Sequence, residues 1–278
     1  MAHHRSENIV VVGAGIVGLA HALVAREAGY RVTVVERMSR PLGASVRNFG
    51  TLWPIGLPFG VEREQGMAGV ARWRRLAAEA GFLADACGSL SLAHSEEAWS
   101  VLREFAARPE AAVQGFELLA AEEGARRFPM ANPVGLRGAL FSPHETCVRP
   151  ADAMAALVAH LGRCGVEFQF GTCAVRVHAD AVEVAAGRRF PFDHCVIAAG
   201  EEMRLLFPSV LAEAAVRPCR LQMMRTAPRR ERLGAIMVSD LTLAHYPAFA
   251  QCPSLAALRE RLSATRPAHL RHGIHVIA

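Results

Sequence analysis

Apolar positions follow two periods along this chain, and the switch between them is sharpest near its start. Ile9 to Val12 is an unbroken run of β-branched residues, which predicts a strand covered on both faces. Gly13, Gly15 and Gly18 follow at once. Leu19, Leu23 and Val24 then keep helical spacing up to Gly29, a natural C-cap, and Arg31 to Glu36 (RVTVVE) returns as a second, parallel strand. The three glycines have separate reasons: one permits the tight turn, one lets backbone N–H groups approach a pyrophosphate, and one lets the helix lie close to the strand. The helix N-terminus then faces the anion. The backbone of Gly13, Ala14, Gly15, Ile16, Val17 and Gly18 is the expected cradle. Glu36 ends the second strand, where a carboxylate accepts hydrogen bonds from adenosine ribose hydroxyls and repels a 2′-phosphate. That favours FAD or NAD over NADP.

Past Glu36 the loop R-M-S-R-P-L-G-A-S-V-R-N can wrap a long cofactor, and from about Thr51 to Ser142 the pattern turns helical. Val70, Trp73 and Ala77 suggest one helix; Ser95 caps another, with Glu96 and Glu97 in its first turn and Trp99, Leu102, Phe105 and Ala106 along one face. Leu118 to Phe128 is a third candidate helix, and Leu136 to Phe141 carries strand pattern. Pro150 and Asp152 open a helix whose Met154, Leu157, Val158 and Leu161 share a face, closed by Gly162 and Gly165. Val166 to Phe170 is a short strand, followed by a meander (CAVRVH, AVEVA, RRFPFD) with turns at Ala179-Asp180 and Gly187. His194 to Gly200 returns as a buried strand. Val216 to Thr226 alternates as a further strand, with Arg220, Gln222 and Met224 on one face.

Composition narrows the chemistry. At 278 residues, the chain can hold two domains. No stretch approaches the roughly 20 apolar residues of a membrane span, and MAHHRSEN lacks a signal core, so a cytoplasmic location without membrane attachment is expected. Seven cysteines without a C-x-x-C pair point to reduced thiols and no metal site. All 31 basic residues are arginine, so a Schiff-base lysine and a P-loop lysine are both excluded. The net charge of +5 comes from arginines dispersed in twos and threes with no nucleic-acid motif, so no nucleic-acid partner is expected. A cationic surface can still attract anionic substrates.

GAGIVGLAHA, VVER, the GAS-x-RN loop and a later strand ending in AAG together resemble the D-amino-acid-oxidase-like FAD oxidoreductases, the superfamily that also holds glycine oxidase and sarcosine oxidase. The resemblance implies an α/β fold: a Rossmann-like FAD-binding domain of the glutathione-reductase type, interleaved with an α+β substrate domain built on an antiparallel sheet. The expected segments are 1–50 and 146–205 for the first and 51–145 and 206–278 for the second. It implies FAD as cofactor, held by the fingerprint, by Glu36 and Arg37, by Ser45, Arg47 and Asn48 along the pyrophosphate and flavin, by the Val175 backbone at the adenine, and by Ala199-Gly200. Gly200 is also expected for close backbone approach. LTLAHYPAF (Leu241 to Phe249) resembles another strand of the substrate sheet, and ASVRNFGTLWP, RLQMMRT and LTLAHYPAF resemble a subfamily associated with breakdown of aminophosphonates, especially N-methylated ones. Members normally continue for roughly another hundred residues past a strand like GIHVIA.

The implied reaction passes hydride from the α-carbon of a neutral amine to flavin N5, and water then hydrolyses the imine. Such chemistry needs orientation more than an acid–base dyad, so no catalytic side chain is assigned. A small anionic amine is the expected substrate; Arg220 would clamp its anion, with Gln222 and Tyr246 orienting it, while His245 and His144 are weaker candidates. Two other readings stay open: an NAD-dependent Rossmann dehydrogenase, and a truncated, noncatalytic fragment. Oligomeric state is unassigned.

Overall fold

The computed structural model describes residues 7–278, so most of the MAHHRSEN segment lies outside the described residues. The chain forms two compact units. One comprises the described residues up to Asn48 with Leu76–Leu83 and Arg149–Met224; the other comprises Phe49–Arg75, Ala84–Val148 and Arg225–Ala278.

In the first unit, β1 (Asn8–Val12), α1 (Ile16–Glu27) and β2 (Arg31–Val35) follow the expected order. A four-stranded parallel sheet runs His194–Ile197, β1, β2, Glu167–Gln169. β1 lies inside it, with Ile9 opposite both Val32 and His194. The period of two divides its side chains: Val10 and Val12 pack with Val182 and Val184 of the antiparallel meander, while Val11 faces the helix side at Gly18. Val10, Val11 and Val34 are completely buried, each worth about 1.5–3 kcal/mol of transfer free energy. Helix Pro150–Arg163 packs beside α1, and the meander Ala174–Val177, Ala181–Val184, Arg189–Pro191 covers the other face. The layers are therefore helix, parallel sheet and antiparallel sheet.

The second unit is built on a four-stranded mixed sheet in the order Ile236–Val238, Ser89–Ala93, Gly138–Ser142, Glu117–Ala120. Its first pair is parallel and the others antiparallel. Helices Glu96–Ala106 and Leu255–Thr265 bury Phe105, Leu102, Leu258 and Phe249 in one core, and Leu90, Leu92, Leu119 and Phe128 form another. Ser95 caps its helix as expected, accepting a hydrogen bond from the Ala98 N–H at 3.2 Å. A smaller antiparallel sheet joins Thr51–Leu52, Thr146–Val148 and Ala84–Asp85.

Several expected elements differ from the observed ones. Leu118 to Phe128 divides into strand Glu117–Ala120 and helix Ala121–Arg127, because the strand finds a partner in Gly138–Ser142. The strand Ser89–Ala93 (SLSLA) was hidden by its serines; Ser89 and Ser91 are fully buried, and Ser89 Oγ accepts from Trp53 Nε1 at 2.7 Å. Val216 to Thr226 is neither strand nor helix, since alternation makes a strand only where a neighbour supplies the hydrogen bonds. Leu241 to Phe249 is helix Asp240–His245 followed by a 3₁₀ turn, Pro247–Phe249. Asp240 explains that start: its carboxylate accepts from the His94 N–H (3.0 Å) and the Ser95 hydroxyl (2.7 Å). GIHVIA contributes a single antiparallel bridge, Ile277 to Val238.

Candidate functional site

The β1–α1 turn is where the described chemistry converges. Gly13 has φ +106°, and a Cβ there would lie 2.3 Å from the Ala198 carbonyl oxygen. A Cβ on Gly18 would meet the Gly13 carbonyl oxygen, so the third glycine sets how close the helix lies to the turn. Gly15 is different. Its φ of −68° suits any residue, and a Cβ there would meet only the Ser45 hydroxyl, at 3.2 Å. Two of the glycines therefore serve packing, and the middle one keeps the helix N-terminus uncovered.

Four groups meet at that terminus. The Ala14 N–H donates to Glu36 Oε2 at 2.8 Å, and the Met38 N–H donates to Glu36 Oε1 at 2.9 Å. The Ile16 N–H donates to Ser45 Oγ at 2.9 Å. A carboxylate has about four acceptor positions, so Glu36 keeps lone pairs for ribose hydroxyls after holding both amides. Helix geometry leaves the N–H groups of the first turn of α1 without intrahelical partners, and the macrodipole adds roughly half a positive charge there. An anion is the natural occupant. The donor set, the helix N-terminus and the acid at the end of β2 fit the pyrophosphate and ribose of FAD.

The flanking expected residues have mixed surroundings. Ser45 lies in the 3₁₀ turn Ala44–Val46, and Asn48 Nδ2 donates back to the Ala44 and Ser45 carbonyls at 3.1 and 3.0 Å. Arg47 is exposed beside them. Arg37 forms an ion pair with Glu202 at 2.6 Å, just after Ala199-Gly200. Val175 sits half exposed in strand Ala174–Val177, and the meander approaches the same edge through the Thr172 N–H, which donates to the Glu36 carbonyl at 2.8 Å. Gly200 has φ +59° with nothing within 4 Å of an added Cβ. That left-handed backbone conformation by itself favours glycine at this position.

The proposed substrate residues are not assembled on a strand. Arg220 and Gln222 lie exposed in an irregular stretch of the first unit. Tyr246 belongs to the second, half-buried edge-on to Trp53 at 4.7 Å and next to His275 at 5.6 Å. Burial raises its phenol pKa. His245 stacks on His275 at 4.4 Å, and burial lowers the His275 pKa. His144 Nε2 contacts the Gln114 carbonyl. Among the described residues no group of three or more His, Cys, Asp or Glu side chains could hold a metal ion.

The sequence reading missed one buried charged pair. Glu145 is fully buried and Arg63 is 2% exposed. Between them they hold both ends of one peptide residue: Glu145 Oε1 accepts the Ile55 N–H at 3.1 Å, and Arg63 Nη2 donates to the Ile55 carbonyl at 3.2 Å. The Arg63 guanidinium also lies over the rings of Phe59 and Phe116, at 4.6 and 5.4 Å. Burial pushes its pKa down to about 10, offset in part by the Glu145 charge; burial raises the Glu145 carboxyl above its usual range. A lone acid in H-E-T and a lone arginine in V-E-R-E carry no motif, so only their spatial proximity reveals them.

Comparison with known proteins follows from this geometry. The family model described as FAD dependent oxidoreductase, DAO, matches residues 8–250. Glycine oxidase from Geobacillus kaustophilus is similar in structure at 22% identity and a TM-score of 0.62, over 74% of this chain and 59% of that one. A form of L-amino acid deaminase from Proteus vulgaris lacking its specific insertion sequence gives 21% identity and 0.64, over 74% and 56%. L-α-glycerophosphate oxidase from Mycoplasma pneumoniae with FAD bound gives 19% identity and 0.55, over 69% and 53%. The chain thus spans less than two thirds of the length of these structures, and at such identities they share its fold. No curated protein matches it.

Proposed function

The chain belongs to the DAO family of FAD-dependent oxidoreductases, with FAD as cofactor, and from that premise we propose that it oxidises the C–N bond of a small anionic amine, an N-methylated aminophosphonate being the leading candidate. The observation that carries the cofactor half is the meeting of the Ala14 and Ile16 amides, the Glu36 carboxylate and the Ser45 hydroxyl at the N-terminus of α1. In this reading the backbone of Gly13 to Gly18 holds the pyrophosphate, Glu36 holds the ribose, and Arg47, Asn48, Val175, Ala199 and Gly200 line the rest of the cofactor. Arg37, which pairs with Glu202, is proposed as part of the same cofactor-binding set. Bound FAD would supply the acceptor for a hydride leaving the α-carbon of the amine. The protein orients the amine and pairs its anion. A guanidinium fork matches phosphonate or carboxylate oxygens two at a time, and Arg220 is proposed for that role, with Gln222 and Tyr246 orienting the amine.

The substrate half is supported by the sequence resemblance and by the glycine oxidase and amino acid deaminase neighbours. The NAD reading is not favoured, because the family model spans residues 8–250 and is that of an FAD-dependent group. The test is anaerobic mixing of the purified yellow protein with amines while the oxidised-flavin absorbance is followed. N-methylated aminophosphonates should bleach it at lower concentration than uncharged amines of equal size. A yellow protein that uncharged amines bleach equally well contradicts the anionic-substrate assignment, and a colourless protein that takes up no FAD contradicts the cofactor assignment.

A further inference from the structure

Among the described residues only two charged side chains are buried, Arg63 and Glu145, and the proposed reaction uses neither. Both hold one residue, Ile55, at the centre of the 3₁₀ turn Pro54–Gly56. Each is anchored outside that turn. Strand pairing sets Leu52 opposite Thr146, which brings Glu145 level with the turn, and the Glu145 carbonyl accepts the Gly88 N–H at 3.1 Å. Arg63 lies in the first turn of helix Val61–Ala80. Burying this pair is costly, because Arg63 Nε and Nη1 have no hydrogen-bond partner among the described residues and the guanidinium lies among the rings of Phe59, Phe105 and Phe116. Apolar side chains of similar volume often stabilise a fold as well as a buried charged pair or better. What the charges supply instead is a fixed place for Ile55, gripped at its N–H and its carbonyl.

The turn carries an aromatic pair. Trp53 stands at its N-terminal end, with its indole Nε1 donating to Ser89 Oγ at 2.7 Å and its ring edge-on to Tyr246 at 4.7 Å. Gly56 closes the turn beneath both rings: an added Cβ would overlap the Trp53 ring and lie 3.1 Å from Tyr246 Cδ1. A shift of the turn therefore moves Trp53, and Tyr246 follows. All of these residues belong to the second unit. We infer that Glu145 and Arg63 are positioning residues for the amine, clamping Ile55 so that Trp53 holds Tyr246 in its orienting place. This rests on the reading of Tyr246 as an orienting group. Orientation is where such a clamp acts most strongly, since hydride transfer needs the reacting atoms in a near-attack arrangement and a small misplacement slows it steeply.

The experiment is anaerobic stopped-flow bleaching of the purified flavoprotein by N-methyl-aminomethylphosphonate, with near-UV circular dichroism of each variant. Trp53→Phe identifies the Trp53 band. Glu145→Ala removes the acceptor for Ile55; it should diminish that band and slow bleaching at saturating amine by about tenfold or more. Glu145→Gln keeps an acceptor and should recover most of both signals, which a general loss of stability would not predict. Gly56→Ala displaces Trp53 with the buried pair intact, so it should give the same signature even where Glu145→Ala does not fold; far-UV circular dichroism reports folding. The inference is overturned if a folded Glu145→Ala or Gly56→Ala protein bleaches at the wild-type rate while Tyr246→Phe is slow, or if Glu145→Gln is as slow as Glu145→Ala. A wild-type rate in Tyr246→Phe refutes the orienting role of Tyr246 and the inference with it. A flavoprotein that this amine does not bleach refutes the substrate reading alone, and the Trp53 band then decides: unaltered in Glu145→Ala, it overturns the clamp.

Discussion

At the scale of single residues, the fingerprint glycines should separate by experiment. Gly13→Ala places a methyl group against the Ala198 carbonyl at a φ of +106°, a conformation that costs an L-residue about 1–3 kcal/mol before the clash is counted. Gly15→Ala meets only the movable Ser45 hydroxyl. Thermal unfolding should show Gly13→Ala lower in Tm by roughly 2–12 °C or more and Gly15→Ala within a few degrees of wild type, given about 2–4 °C per kcal/mol at this size. Equal losses would mean that the two glycines share one role. Glu145 gives a test with a defined sign. Its folded pKa is raised by burial, so the folded chain takes up the proton before the unfolded one does. Its burial penalty is present at neutral pH and relieved as pH falls toward the unfolded value of about 4.3. Glu145→Gln abolishes that titration and keeps an acceptor for the Ile55 N–H. Urea unfolding should show wild type gaining stability relative to Glu145→Gln as pH falls from neutral toward the unfolded carboxyl value; a constant difference would refute a raised carboxyl.

At the scale of elements, legibility depended on whether a segment's partners are local. β1, α1 and β2 were legible because a β-branched run, three glycines at fixed spacing and a returning strand lie within thirty residues, and the Ser95 cap was legible for the same reason. Ser89–Ala93 was not, because its alternate serines are buried by distant strands and Ser89 Oγ accepts a hydrogen bond from the distant Trp53 indole N–H. Helix Asp240–His245 was misread because Asp240 bonds to His94 and Ser95, some 145 positions away. That link predicts cooperation between elements. Ser95→Ala should cost about 1 kcal/mol as a lost cap. Since Asp240 shares the Ser95 hydroxyl, a double-mutant cycle with Asp240→Ala should give a coupling of at least about 0.5 kcal/mol by urea unfolding. Strict additivity would show that the two helix starts are independent.

At the scale of the whole molecule, a lysine-free chain joins a helix–sheet–meander unit, carrying the cofactor cradle, to a second unit built on a mixed sheet. The strand–turn–helix geometry of the proposed cradle was legible in outline, its glycines and acid being named by pattern and Ser45 by resemblance. What pattern could not supply was that Glu36 already holds the Ala14 and Met38 amides, which makes it a structural closure of the turn as well as the proposed ribose acceptor. The substrate residues were least legible, because their assignment depended on two strands that are not strands. The central claim is that this cradle holds FAD, and titration of apoprotein with FAD, wild type against Glu36→Ala, tests it most directly. Loss of a charge-assisted acceptor is worth about 1.5–3 kcal/mol, so the variant should bind FAD roughly 10- to 150-fold more weakly while remaining folded by circular dichroism. A folded Glu36→Ala protein with wild-type FAD affinity would contradict the account.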